Sequence, residues 1–90
     1  MMILALPPRL DLIEATPLTK ALRQAFGKPL TVDASGVEHL GALCLQVLIA
    51  AARHWREEGV SFAITPRSDA FVTALNNFGL DVETVTLEEV

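Results

Sequence analysis

The run LTVDASGVEHLGALCLQVLIAAA, residues 30–52, decides the fold. Leu30, Val32 and Ala34, with β-branched Thr31 between them, read as a short strand, and Asp33, Ser35 and Gly36 supply the turn chemistry that ends it. After residues 37–40, Gly41 and Ala42 are small enough to let two backbones approach closely. Helix formers then run from Leu43 to Glu58 and stop at Gly59, the residue type that best ends a helix. In an open sheet of parallel strands, ligands and partners bind beyond the carboxyl end of a strand, beside the amino end of the next helix. Asp33, Ser35, Gly41 and Ala42 occupy that position and are the first candidates for a binding site.

Working outward, the pattern predicts strands over residues 2–5, 9–12, 30–34 and 60–64 and helices over 16–26, 43–58 and 68–78, with a last extended piece over 82–87. Thr16-Pro17 and Ser68-Asp69 suit helix starts, and Gly27 and Gly79 suit stops. Alternation of this kind implies an α/β fold: a mixed, largely parallel sheet of four to five strands with about three helices, joined by right-handed crossovers. No repeat, linker or low-complexity segment interrupts it, so residues 1–90 read as a single domain. A chain this short buries only about 60–65% of its unfolded surface, which leaves little room for a deep active site.

Successive side chains of the long helix lie about 100° apart around its axis. Cys44, Val47, Leu48, Ala51 and Trp55 then gather into a core stripe with Leu45 and Ala52 at its edge, while Gln46, Arg53 and Glu57 fall opposite. Ile49 lies between Arg53 and Arg56, where a polar residue is expected. An exposed branched apolar side chain there suggests a contact patch of Ala42, Gln46, Ile49, Ala50 and Arg53. Cys44, within the core stripe, is expected to be a buried, inert thiol and not a reactive one.

Composition narrows the function classes. A net charge of −4 and a pI near 4.9 argue against nucleic acid or an anionic membrane as partner, both of which need a basic footprint. Residues 1–6 are apolar but end at Pro7-Pro8, too short for a secretory core or a membrane span. A single cysteine allows no internal disulfide and suits a reducing, cytoplasmic setting. His39 and His54 have no third ligand at metal spacing, so neither metal nor cofactor is expected. Phosphate loops, a nucleophile elbow and spaced carboxylate pairs are all missing from the sequence, which reads as a non-enzyme.

The ordered segment D-A-S-G-V-E-H-L-G-A-L-C-L-Q-V-L resembles the central motif of STAS domains, the family of anti-sigma-factor antagonists and related modules, whose pattern runs roughly D-L-S-G-V-x-F-I-D-S-S-G-L-x-V-L. Asp33, Ser35, Gly36, Val37, Leu45, Val47 and Leu48 stand on matching positions. Leu10-Asp11 is similar to the L-D before the family's first helix. Pro66, Ser68, Ala70, Phe71, Leu75, Gly79 and Leu80 resemble its P-S-x-A-F-x-x-x-L-x-x-x-G-L segment. The resemblance covers nearly the whole chain.

It also implies a departure. Phosphorylation-controlled members present a serine in D-S-S-G at the helix start, and its phosphorylation decides whether the partner binds. Gly41, Ala42, Leu43 and Cys44 fill those four places here. The usual phosphoserine switch is therefore expected to be absent. Leu10-Asp11-Leu12 and Gly41-Ala42-Leu43-Cys44 resemble more narrowly the small single-domain members associated with alphaproteobacterial chemotaxis clusters. That implies a partner of the chemotaxis histidine kinase, acting on phosphoryl flow to a response regulator. Two further roles known in the family stand beside it: an antagonist binding an anti-sigma-factor kinase, and a subunit of a lipid-transport ATPase.

Overall fold

The computed structural model describes residues 2–79. In chain order these form β1 (Met2–Ala5), β2 (Arg9–Leu10), a 3-10 turn (Leu12–Glu14), α1 (Ala15–Gln24), β3 (Leu30–Ala34), β4 (His39–Leu40), α2 (Ala42–Glu58), β5 (Phe62–Arg67) and α3 (Asp69–Asn77). β3 is the central strand of a three-stranded sheet, with β1 and β5 parallel on either side. Its alternation explains why: Leu30, Val32 and Ala34 are buried, and Thr31 and Asp33 are half-buried between them. β2 and β4 form a separate parallel pair, Arg9 opposite His39 and Leu10 opposite Leu40. The strands are thus divided between two small sheets, and every pairing among the described residues is parallel. The extended piece expected over 82–87 lies outside the described residues.

Several boundaries differ from the sequence expectation for local reasons. The strand expected over 9–12 stops at Leu10 because Asp11 turns the chain. Its carboxylate accepts from the Ile13 amide at 3.2 Å and its carbonyl from the Glu14 amide at 3.0 Å. The 3-10 turn runs straight into α1, which leaves Pro17 in the first helical turn, where a missing amide costs nothing. At the far end of α2, Gly59 is left-handed with φ 71°. The Gly59 and Val60 amides return to Arg56 and Trp55, each at 3.1 Å. That closure occupies the start of the expected 60–64 strand, so β5 begins at Phe62. It runs on to Arg67 because one extra residue enters it between the Val32–Ile64 and Ala34–Arg67 pairs, an edge-strand bulge that accommodates Pro66.

α2 packs against α1 and β5, and α3 packs against β4. Trp55 anchors this arrangement. Its indole N–H donates to the Lys28 carbonyl at 2.8 Å, and its ring lies 5.0 Å from that of Phe62 and 5.3 Å from that of Phe26. The buried residues of α2 are Cys44, Leu45, Leu48, Ala51, Ala52 and Trp55, and Val47 is half-buried. Leu45 and Ala52, expected at the edge, are as buried as the stripe itself, so the apolar face extends toward Ile49. Ile49 is consequently not the exposed residue expected: it is half-buried and packs against the core.

Cys44 is fully buried and its thiol donates to the Asp11 carbonyl at 3.3 Å. The native protein is expected to react slowly with a thiol reagent, and stoichiometric labelling without denaturant would contradict the packing described. Cys44→Phe should lower unfolding stability by about 1–3 kcal/mol through overpacking, measured by denaturant melts.

Candidate functional site

Because β1, β3 and β5 are parallel, their carboxyl ends meet at one edge, and backbone hydrogen bonds fasten the loops there. The Leu6 amide donates to the Asp33 carbonyl at 2.9 Å, and the amides of Val37 and Ser68 both reach the Ala34 carbonyl, at 3.3 and 3.1 Å. Ser68 adds a side-chain link: its hydroxyl donates to the Val37 carbonyl at 2.6 Å and accepts from the Phe71 amide at 3.0 Å. One serine thus caps α3 and holds the loop after β3. On the other side, the Glu38 and His39 amides donate to the Pro8 carbonyl at 2.7 and 3.0 Å.

Within this edge, Asp33 and Ser35 act on each other. A single Asp33 carboxylate oxygen accepts from the Ser35 hydroxyl at 2.7 Å and from the Ser35 amide at 2.9 Å, closing an Asx turn. The Ser35 hydroxyl, followed by its amide, holds the Asp33 carboxyl below its ordinary value of 3.8. A phosphate on Ser35 would break this bond and set two negative groups side by side.

Gly41 and Ala42 lie at a second focus, the start of α2. The Gly41 amide donates to the Leu10 carbonyl at 2.8 Å. A side chain on Gly41 would have its Cβ 3.1 Å from that oxygen, with His39 and Asp11 next nearest. Small size at position 41 is therefore a condition of the crossing between β2 and α2. Below it, burial pushes the Cys44 thiol up, helped by the negative charges of Asp11 and Glu14. Ala42 and Leu43 point the other way and are exposed, Leu43 by 44%. In the adjoining 3-10 turn, Leu12 is 73% and Ile13 is 79% exposed. Apolar surface thus stands where the D-S-S-G pattern would carry serine hydroxyls.

Down α2, Gln46, Ala50 and Arg53 are exposed as expected. Gln46 and Ala50 also line a groove of about 480 Å³ between α1 and α2. Leu22 and Arg23 of α1 with Phe26 in the turn that follows form one wall, and Leu43, Val47 and His54 complete the α2 wall. Phe26 stacks on His54 with ring centroids 4.0 Å apart. Neither this groove nor the exposure of Ile13 and Phe26 was expected from the sequence, in which Leu12 and Leu43 enter as members of the two motifs of the narrower resemblance. A usable signal was present on α1: with Leu18 and Leu22 facing the core, helical spacing places Thr19 and Arg23 along the neighbouring face, and the helix expected to reach Phe26 ends at Gln24, which leaves Phe26 in the turn beyond it.

The Asx turn sets a pH dependence whose sign is fixed. A carboxyl held low in the folded state stabilises the fold above its ordinary value, and that stability is lost as pH falls through the lower folded value. An NMR titration of the Asp33 carboxyl should give a midpoint below 3.8, and Ser35→Ala should move it back toward the ordinary value.

Among the described residues, no group of three histidine, cysteine, aspartate or glutamate side chains could hold a metal ion. No described helix is long and apolar enough to cross a membrane. A search of curated proteins found no match. A family model described as "Mlab, STAS domain" matches residues 2–88, spanning both site foci and the groove. The chain therefore belongs to the STAS family.

Proposed function

We propose that the chain is a non-catalytic interaction module that docks on a chemotaxis histidine kinase or its complex and adjusts phosphoryl signalling by contact alone. Family membership supports the general part, a module that works by binding proteins. The kinase assignment rests on the resemblance carried by Leu10-Asp11-Leu12 and Gly41-Ala42-Leu43-Cys44, and the observation that supports contact without a phosphoserine switch is the chemistry of the helix start. Where a switch serine would stand, Ala42 and Leu43 offer exposed apolar surface, continued by Leu12 and Ile13. A surface of this kind binds constitutively, and its effect on the kinase is a coupling free energy and not a reaction.

In this reading Asp33 and Ser35 shape the edge, Gly41 permits the crossing, and Ala42, Gln46, Ala50 and Arg53 contribute contact. Ile49, half-buried and packed against the core, supports the helix and adds contact only through the part of it left exposed. The two other family roles remain outcomes of the binding experiment. The missing acceptor serine disfavours an anti-sigma-factor kinase, and the subunit of a lipid-transport ATPase is distinguished by which purified partner binds.

Affinity for a purified chemotaxis histidine kinase of the same organism, measured by calorimetry, tests the proposal. Leu43→Glu places a charge into the contact and removes an apolar anchor, which should weaken binding by about 2 kcal/mol, or about thirtyfold. Thermal melts should show the variant folded, and Glu57→Gln at the far end of α2 should bind as the parent does. Unchanged affinity for folded Leu43→Glu would remove the helix start from the interface. No binding by the parent protein to any chemotaxis component would remove the kinase assignment.

A further inference from the structure

The groove between α1 and α2 has a charge character unlike that of the chain as a whole. The protein carries 11 acidic and 7 basic side chains, yet among the described residues no carboxylate lines the groove, and Arg23 is the one permanently charged side chain on its walls. Its floor and sides are otherwise apolar or neutral, from Leu43 at one end to the Phe26–His54 stack at the other. Along α2 that distance is about 16 Å, about three turns of helix. The 3-10 turn, which packs beside α1 and α2, carries Leu12 and Ile13, the most exposed large apolar side chains described. The result is an apolar channel with a positive edge on an acidic protein.

We propose that this groove receives an amphipathic helix of about three turns from a partner protein, with apolar anchors at i, i+3, i+4 and i+7 and acidic residues beside them facing Arg23. Helix-in-groove recognition needs a trough of this length with apolar walls. The acidic flank follows from charge complementarity. An acidic segment is repelled by most of an acidic protein, and the wall at Arg23, which carries no carboxylate among the described residues, offers it an attractive approach. A basic amphipathic helix would find no counter-charge among the described residues of the groove. The inference rests on the reading that the chain acts by protein contact, and it specifies the surface and the chemistry of what that surface accepts.

The test uses two capped synthetic helical peptides that share the same leucine spacing, one flanked by glutamates and the other by lysines, titrated into the 15N-labelled full chain. The glutamate peptide should bind at least about tenfold more tightly at low salt and shift the amides of Thr19, Gln46 and His54. Arg23→Glu should remove or reverse that preference, and Ala50→Trp, which fills the groove from an exposed position, should abolish binding; melts of both variants should match the parent. No binding of the glutamate peptide, or binding that neither variant changes, would overturn the inference. Because no kinase is present, this result is independent of the kinase measurement. Kinase binding that survives both groove variants would likewise overturn the groove as the docking site while leaving the contact function in place.

Discussion

The approach of Gly41 to Leu10 sets the geometry of the functional end. A 2.8 Å backbone hydrogen bond joins them, and a Cβ on residue 41 would sit 3.1 Å from the Leu10 oxygen. This crossing fixes the first turn of α2. Cys44 then faces inward beneath Asp11, and Ala42 and Leu43 face outward beside Leu12 and Ile13. The same four-residue segment supplies a core residue and an exposed apolar surface, and the crossing sets its orientation. In a pattern built around D-S-S-G an aspartate would occupy the position of Gly41. Here the close crossing takes up that space.

The rest of the edge is held by redundancy at β3. The Ala34 carbonyl accepts two amides, and the Ser68 hydroxyl joins the loop after β3 to the cap of α3. Each bond contributes about 1 kcal/mol or a little more, but their partners come from separate segments of the chain, so they order the edge together. The Asp33–Ser35 turn belongs to this framework. Its serine hydroxyl is committed to the carboxylate beside it, which makes it a poor replacement for the switch serine absent from α2. Rigid loops and a fixed apolar patch suit a protein that acts by occupancy, because there is little conformational cost to recover on binding.

Much of this was legible in the sequence. Alternation in 30–34, the stop at Gly59 and the cap at Ser68 each have a local cause, and each feature appears where that cause places it. The Asx turn and the buried Cys44 were legible for the same reason. What could not be read depended on contacts between distant segments. β4 consists of two residues and exists only because β2 lies beside it. The 3-10 turn diverts a segment that by composition could have continued as strand. Ile49 looked exposed because a helical wheel takes no account of how wide the supporting core is; burial of Leu45 and Ala52 extended that core to include it. The groove needed two helices placed side by side, information that neither helix carries alone.

In the proposed function the protein meets its partner through the apolar end formed by the 3-10 turn and the start of α2. Hydrogen–deuterium exchange of the chain, free and saturated with the chemotaxis kinase, tests this most directly. Protection should concentrate in peptides covering residues 11–16 and 42–50 and leave α3 and the amides of β5 unchanged. Protection confined to α3 and β5, with residues 11–16 and 42–50 exchanging as in the free protein, would contradict it.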